Sequence, residues 1–144
     1  MLEVKGIKNG IVLDHIKAGK GLTVFEKLDL ANFECSVVLL MNVDSKQFGK
    51  KDIIKIEDNF NVDLDVLGLI DERITVDIIK DHKLVEKKTV HIPEKITGTL
   101  ECHNPRCITN IDDYVPPTFK LIEKRDNVLE YVCDFCEEIT KFKR

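Results

Sequence analysis

The sequence predicts an α+β protein of two domains, and two patterns in it support that prediction. Over roughly the first 95 residues, stretches with strand-like alternation are interspersed with two stretches of helical periodicity. Of the five cysteines only Cys35 lies there, and the other four fall between residues 102 and 136. A module of about 50 residues is too small for a large apolar core, and bound metal commonly makes up the deficit. We therefore expect domains at residues 1–95 and 96–144.

The first domain shows the order strand, helix, strand, strand, helix, strand, with an added hairpin. The helical spacing of Leu22, Phe25 and Leu28 contrasts with the short apolar run that begins at Cys35, which is typical of a central strand. This order predicts the ferredoxin-like split βαβ plan, an antiparallel sheet with two helices on one face. The strands are expected over residues 2–16 (with a turn at Asn9-Gly10), 35–43, 51–57, 74–79 and 84–90, and the helices over 21–31 and 61–70.

The second domain is predicted to be a small all-β zinc ribbon. Pro93 ends the first domain, and residues 91–99 are expected to be the linker. The predicted antiparallel strands of the ribbon cover residues 99–102, 119–123, 128–133 and 139–143.

Four cysteines form two pairs with short gaps, which is the spacing of a tetrahedral zinc site. Four residues separate Cys102 from Cys107, and two separate Cys133 from Cys136. Four thiolates close the coordination shell and leave no position for water, so we expect the zinc to be structural. The alternative, two disulfides or unlinked thiols, is disfavoured because we expect a protein without a signal peptide, and disulfides are uncommon in cytosolic proteins.

Composition excludes several classes of function. The formal net charge of −4 argues against general nucleic-acid binding, and no apolar run has the length of a membrane span. We therefore expect a cytoplasmic protein with neither nucleic acid nor membrane as a partner. A zinc-ribbon nucleic-acid-binding protein is the alternative, but the ribbon lacks a dense basic stripe with interleaved aromatic residues.

The sequence contains no recognisable catalytic set. It has no glycine-rich phosphate loop, and no nucleophile stands in a recognisable motif with a base. Asp14-His15 is the one acid–base neighbour pair, and adjacent residues of a regular strand point to opposite faces. Four thiolate ligands also argue against a zinc enzyme, because catalytic zinc keeps an open position. We therefore predict a non-catalytic protein.

Lysines cluster on strands that the split βαβ plan brings together. They are Lys55 on one central strand and Lys80, Lys83, Lys87 and Lys88 around the last hairpin. Several ammonium groups at one sheet edge would suit a polyanion such as a nucleoside triphosphate. Composition alone favours a solvated face, as most charge runs are.

Five segments, in order over nearly the whole chain, resemble the regulatory chain of aspartate carbamoyltransferase. They are residues 4–16 (VKGIKNGIVLDHI), 49–57 (GKKDIIKIE), 93–96 (PEKI), 100–108 (LECHNPRCI) and 133–137 (CDFCE). The resemblance implies a regulatory subunit whose first domain binds allosteric nucleotides, CTP, UTP or ATP. It implies that the zinc domain binds the catalytic chain, and that regulatory chains pair as homodimers.

The resemblance also implies site residues. The matching nucleotide-binding positions are Gly6, Ile7, Val12, Asp14, His15, Lys55, Asp77, Ile79, His82, Leu84 and Lys87. In the zinc domain, Asn104 and Glu137 match positions that contact the catalytic chain. The family often has asparagine at the position of Asp77 and tyrosine at that of His82, so the choice among the three nucleotides stays open.

Overall fold

The computed structural model describes residues 6–47, 49–58 and 61–144 of the chain. The chain divides into two compact units, Met1–His91 and Ile92–Arg144, and each unit contains one antiparallel sheet. None of the helices in these described ranges has the length and apolar character needed to cross a membrane.

The first unit has the predicted split βαβ architecture. Its sheet has the order β2-β3-β1-β4-β5, in which the first four strands follow the split βαβ plan and β5 extends the sheet beyond β4. Its strands are β1 (Gly10–Lys17), β2 (Val37–Ser45), β3 (Gly49–Ile56), β4 (Thr75–Lys80) and β5 (Lys83–Thr89), and its α-helices are α1 (Gly21–Lys27) and α2 (Leu64–Ile70). The predicted fold class is confirmed.

One face of this sheet forms the core with the two helices. Because side chains alternate along a strand, β3 sends every second residue into this core, β1 does so as far as Leu13, and α1 and α2 cover the core. The buried members are Ile11, Leu13, Ile16, Val24, Leu30, Ile54, Ile56, Leu67, Ile70, Ile74, Val76 and Val90. Each buried aliphatic side chain contributes about 1.5–3 kcal/mol to folding. The other face of the sheet carries the alternate residues, and we call it the open face.

Two boundaries in the first unit differ from the prediction. The first helix ends at Lys27 rather than at residue 31, because Asp29 has a φ of 55° in the left-handed region, and a 3₁₀ turn follows at Leu30–Asn32. Residues 6–9 form no strand, and the rest of the predicted first strand half, residues 2–5, lies outside the described residues. The strand begins at Gly10, where a Cβ atom would lie 2.0 Å from the Ile56 carbonyl oxygen.

The second unit is a four-stranded sheet in sequence order. Its strands are β6 (Lys95–Thr97), β7 (Thr118–Lys124), β8 (Val128–Cys133) and β9 (Ile139–Lys143), and one helical turn, α3, spans Ile108–Ile111. The small core centres on Tyr131 and Phe119, both fully buried. The Tyr131 hydroxyl donates a hydrogen bond of 2.7 Å to the Pro93 carbonyl and so attaches the first residues of this unit to its core.

Three expectations for the second unit need correction. The predicted boundary between residues 95 and 96 falls inside β6, which pairs with β7 and so belongs to the second sheet, and the compact units divide between His91 and Ile92. Residues 99–102 form no strand because the chain is already bending toward the first cysteine pair. The unit is not all-β, since α3 follows Cys107 directly.

Candidate metal centre and ligand-binding face

The structure brings the four predicted cysteines of the second unit together. Their sulfur atoms all lie within 4.8 Å of one another. The Sγ atoms of Cys102 and Cys136 are 3.5 Å apart, and those of Cys107 and Cys133 are 3.7 Å apart. A tetrahedral ion with Zn–S bonds of about 2.3 Å separates its sulfur ligands by roughly 3.8 Å. The cluster therefore has the dimensions of a tetrathiolate metal site.

Two backbone turns hold the sulfur atoms in place. In the first, the Cys107 N–H donates to the Asn104 carbonyl, and the Asn110 side chain donates to the carbonyls of both Cys102 and Asn104. In the second, the Cys133 N–H donates to the Glu138 carbonyl, and the N–H of Glu137 donates back to Cys133. Cys133 ends β8, so the β8–β9 hairpin presents the second pair.

The electrostatics of the cluster indicate a cation. Burial raises the pKa of Cys102 to about 12 and also raises the pKa of Cys133. Hydrogen bonds from Thr109, whose hydroxyl lies 3.2 Å from the sulfur, lower the pKa of Cys107 to about 7. Four thiolates at these distances, three of them buried, repel one another, so a bound metal ion is required for all four to ionise.

His103 stays outside the sulfur cluster. Its ring contacts the Thr140 hydroxyl at 3.3 Å and lies 3.8 Å from a Glu138 carboxylate oxygen. Four cysteines fill the four ligand positions of a tetrahedral site and leave none for this histidine.

In the first unit, four predicted residues form one row across the open face. Lys55 on β3 and Asp77 on β4 both lie opposite Val12 of β1, and Lys87 of β5 lies opposite Asp77. Residues directly opposite each other in an antiparallel sheet point to the same face. With strands about 4.8 Å apart, this row spans roughly 14 Å from Lys55 to Lys87. Two ammonium groups thus flank one carboxylate.

A β-bulge places Asp14 and His15 beside this row. The pairing of β1 with β3 shifts between Leu13 and Ile16, and His15 has a φ of 59°. The His15 ring contacts the hydroxyl of Thr75, which lies opposite Asp14 on β4. The expectation that these adjacent residues point to opposite faces is therefore wrong, because it assumed a regular strand.

Asp14 is paired with a lysine that the sequence reasoning missed. The Lys51 Nζ lies 2.9 Å from Asp14 Oδ1, and the two side chains are only 17% and 20% exposed. Burial works against ionisation of Asp14, but the hydrogen bonds from Lys51 and from the His15 N–H outweigh it, so the pKa of Asp14 lies below its usual value. The sequence contained a signal for this lysine. Lys51, Ile53 and Lys55 are spaced two residues apart along β3, so their side chains point to the same face of the sheet.

Asp77 has an unsatisfied oxygen. Its Oδ1 atom is buried and has no hydrogen-bond partner among the described residues. Burial raises the pKa of Asp77, and the nearby charge of Lys87 offsets this only in part. A buried acceptor without a donor costs about 1–3 kcal/mol, so this position favours a ligand that brings a donor.

The remaining predicted residues lie beside the row, toward the β4–β5 turn. Ile79 pairs with both Gly10 and Leu84, and Leu84 is 56% exposed. The His82 N–H donates to the Lys8 carbonyl, which ties the β4–β5 turn to the segment that contains Gly6 and Ile7. This side of the row offers exposed apolar surface, whereas the side with Asp14 and Lys51 offers charge.

The predicted lysine cluster divides between the two faces. Lys55 and Lys87 belong to the open face, but Lys80 and Lys88 line a cavity of about 480 Å³ on the helix side, together with Ile11 and Val76. The prediction that all these lysines converge is therefore wrong for Lys80 and Lys88, because alternate residues of a strand point in opposite directions. A second cavity, of about 430 Å³, lies beside His15 and is lined by Lys17, Lys50 and Arg73.

Exposed apolar side chains lie next to the cysteine turns. Tyr114 is 95% and Ile111 is 67% exposed, and Ile108 and Phe135 are about half exposed. Ile108 follows Cys107 directly, and Phe135 lies between the second pair of cysteines. Asn104 is half-buried in the first turn, while Glu137 is exposed in the second.

Comparison with protein families matches both units. Residues 2–91 match the model of the aspartate carbamoyltransferase regulatory chain, allosteric domain, and residues 94–144 match that of its metal binding domain. The chain belongs to the family of aspartate carbamoyltransferase regulatory chains. The resemblance drawn from the five sequence segments is confirmed.

Curated relatives with this description cover nearly the whole chain. The chain is 50% identical to the regulatory chain of Clostridium tetani over 142 residues, which is 98% of this chain and 97% of the relative. It is 45% identical to that of Clostridium acetobutylicum over 141 residues (98% and 95%) and to that of Bifidobacterium longum over 140 residues (97% and 99%). Membership makes this a regulatory, non-catalytic chain with an allosteric domain followed by a domain that binds a structural metal.

Proposed function

We propose that the chain binds nucleotide effectors on the open face of its first unit and thereby modulates catalytic chains of aspartate carbamoyltransferase. CTP, UTP and ATP are the candidate effectors. The observation that carries the proposal is the row Lys55–Val12–Asp77–Lys87, which combines two cations with an unsatisfied acceptor. Charge along the row and apolar surface beside it, at Ile79 and Leu84, suit a triphosphate joined to a base.

Each side chain has a role that follows from its surroundings. Lys55 and Lys87 would meet ribose and phosphate oxygens, because ammonium groups form strong charge-assisted hydrogen bonds to them. Asp77 would accept a hydrogen bond from the base or the ribose, since its carboxylate would repel the phosphates. Asp14 would accept likewise, held in place by Lys51. The base would lie against Ile79 and Leu84, between His82 and the segment with Gly6 and Ile7.

The regulatory effect would operate by linkage. A nucleotide that binds one state of the assembly more tightly than another shifts the equilibrium toward that state. Coupling of this kind is typically about 1–3 kcal/mol, or several-fold in affinity.

We propose that the structural metal is zinc, held by Cys102, Cys107, Cys133 and Cys136. Sulfur separations of 3.5 and 3.7 Å and the absence of an open ligand position support this choice. Bound zinc would neutralise the thiolates and fix the two turns. The turns in turn present Asn104 and Glu137, together with exposed Ile111 and Tyr114, as the surface for the catalytic chain.

We also propose that regulatory chains pair as homodimers in the cytoplasm. Strand β2 supports this, because it is nine residues long, lies at the edge of the sheet and exposes Met41. An edge strand of this kind has unpaired backbone groups available to a second copy.

Neighbouring lysines of β5 provide the sharpest test of the nucleotide site. Lys87→Ala should weaken the binding of CTP, UTP or ATP about tenfold in calorimetry. Lys88→Ala is the matched control, because Lys88 lines the cavity on the other face and should leave the affinity unchanged. Equal affinities of the wild type and the Lys87→Ala chain would remove this lysine from the site, and equal losses in both variants would indicate a diffuse charge effect.

Removal of the metal tests the second unit. A mercurial that displaces zinc should release the regulatory chain from its catalytic partner, because the two cysteine turns lose their shape. Size-exclusion chromatography with zinc quantification measures both events. A complex that survives with the zinc gone would contradict the structural role of the metal.

A further inference from the structure

Asp52 of β3 is a fully buried carboxylate that lies outside the proposed nucleotide site. It is 0% exposed and lies directly after Lys51. Its hydrogen-bond donors in the described part of the chain are three backbone N–H groups. Gly21 at 2.8 Å and Gly19 at 3.1 Å donate to Oδ2, and Asn42 at 2.9 Å donates to Oδ1. A buried carboxylate with this many donors is strongly fixed in position.

The three donors come from three different parts of the first unit. Gly19 lies in the loop after β1, Gly21 begins α1, and Asn42 lies in β2. Both neighbours of β3 also lose regular pairing at this level. The register of β1 shifts between Leu13 and Ile16, and that of β2 shifts between Leu40 and Val43. Asp52 therefore lies between two bulges: it bonds to Asn42 in the β2 bulge, and to Gly19 and Gly21 in the segment that follows β1.

The β1 bulge produces the arrangement on the open face. His15 and Asn42, one in each bulge, have φ values of 59° and 60°, a conformation that non-glycine residues adopt only when neighbouring contacts support it. Ile16, the first residue after the β1 bulge, pairs directly with Asp52. Without the bulge Asp14 and His15 would point to opposite faces. His15 could then not contact Thr75 on the face where Asp14 meets Lys51.

We infer that Asp52 is a positioning residue for the nucleotide face: its hydrogen bonds to the chain on both sides of β3 hold the bulge that sets Asp14 beside Lys51 and His15 against Thr75. Its consequence for nucleotides rests on the proposed function, but its consequence for Asp14 does not. The packing around it is tight, since a Cβ on Gly21 would lie 2.7 Å from Asp52 Oδ2.

The test replaces Asp52 by asparagine. The amide keeps the shape but supplies one acceptor where the carboxylate supplies two, so either Asn42 or the two glycines lose their partner. In the full chain with zinc, the Asp52→Asn variant should bind CTP and ATP at least about tenfold more weakly. In a carboxyl NMR titration, the pKa of Asp14 should rise because Lys51 is no longer held against it.

Asp71→Asn is the matched control. Asp71 is the other buried carboxylate of this unit among the described residues, and it accepts hydrogen bonds from the N–H and guanidinium of Arg73 at the end of α2. This variant should lose stability but keep the nucleotide affinity within about twofold and leave the titration of Asp14 unchanged. An equal effect of both variants on Asp14 would overturn the inference, because it would reflect general loosening.

Two failures remain distinguishable. Wild-type chain that binds neither nucleotide would contradict the proposed function, while the Asp14 titration would still decide the role of Asp52. Unchanged affinity and unchanged titration in Asp52→Asn would refute the positioning role alone. Should this variant not fold, Gly21→Ala pushes on the same carboxylate without removing it, and it should weaken nucleotide binding several-fold; unchanged binding there would refute the role equally.

Discussion

At the residue scale, the open face depends on the half-buried pair of Lys51 and Asp14. Its N–O distance of 2.9 Å and low exposure place it between a surface ion pair and a fully buried one. Because the folded state lowers the pKa of Asp14, the pair stabilises the protein above the pKa of the unfolded chain. That stabilisation is lost as the pH falls through the lower, folded pKa.

Lys51→Met should therefore cost about 1–2 kcal/mol of folding free energy at pH 7. Without the lysine, burial raises the pKa of Asp14, so the variant gains stability as the pH falls and Asp14 takes up a proton. The difference from the wild type should shrink between pH 7 and pH 4, as measured by urea unfolding at each pH. A difference that stays constant over this range would show that Asp14 does not respond to Lys51.

A second residue-scale prediction concerns Tyr131 in the metal-binding unit. Tyr131→Phe removes the 2.7 Å hydrogen bond to the Pro93 carbonyl and should cost about 1–2 kcal/mol, because the acceptor is left buried. Tyr114→Phe is the control, since Tyr114 is 95% exposed. Thermal unfolding of both zinc-loaded variants makes the comparison, and equal melting temperatures would contradict the assigned contact.

Individual residues could be predicted from the sequence where the spacing of the side chains indicates what they bind. The cysteine pairs led directly to four sulfur atoms within 4.8 Å. Lys51 and Asp52 were missed for opposite reasons. Lys51 resembles any exposed lysine until its strand partner is known, and Asp52 acquires its importance only from backbone donors up to 33 residues away.

At the element scale, the turn between β4 and β5 is built from unusual residues. Asp81 and His82 have φ values of 51° and 63°, the two successive left-handed residues that tight hairpins usually fill with Asn-Gly. The turn is held by the Asp81 N–H to the Asn9 side chain and by the His82 N–H to the Lys8 carbonyl. The strained backbone of His82 costs stability. This histidine lies where the base of the nucleotide is proposed to bind, so the strain is consistent with a role in ligand contact.

His82→Gly should stabilise the protein, raising its free energy of unfolding by about 0.5–1 kcal/mol, because glycine adopts the left-handed conformation without a steric penalty. Lys83→Gly is the neighbouring control, and it should destabilise by a similar amount, since Lys83 begins β5 with a negative φ. Urea unfolding separates the two. A loss of stability in the His82→Gly protein would show that the imidazole contributes more than the backbone strain costs.

Element positions followed from apolar patterning, whereas element ends did not. Strands β8 and β9 have the predicted bounds, because turn residues such as Asp126-Asn127 delimit them. The first helix was predicted too long because Asp29, not a glycine, adopts the left-handed conformation that ends it. The two bulges beside Asp52 could not be predicted either, since nothing in the residue pattern marks the one extra residue that each bulge inserts into its strand.

At the scale of the whole molecule, the chain combines an allosteric unit with a metal-binding unit. The order of strands and helices was sufficient to predict the split βαβ sheet, because few topologies accommodate that order. The position of β6 was not predictable, since a strand of three residues has too little pattern to distinguish it from a linker. Residues 92–95 were therefore assigned to the first domain, although they belong to the second unit.

The proposed function requires that nucleotides bound on the open face change the activity of catalytic chains held by the metal-binding unit. The most direct measurement is the aspartate saturation curve of the reconstituted enzyme with CTP, UTP and ATP in turn, for wild-type and Lys55→Ala regulatory chains. At least one nucleotide should shift the aspartate concentration at half-maximal rate several-fold with the wild-type chain and leave it unchanged with Lys55→Ala. An enzyme that responds to none of them, or that responds equally with both chains, would contradict the claim.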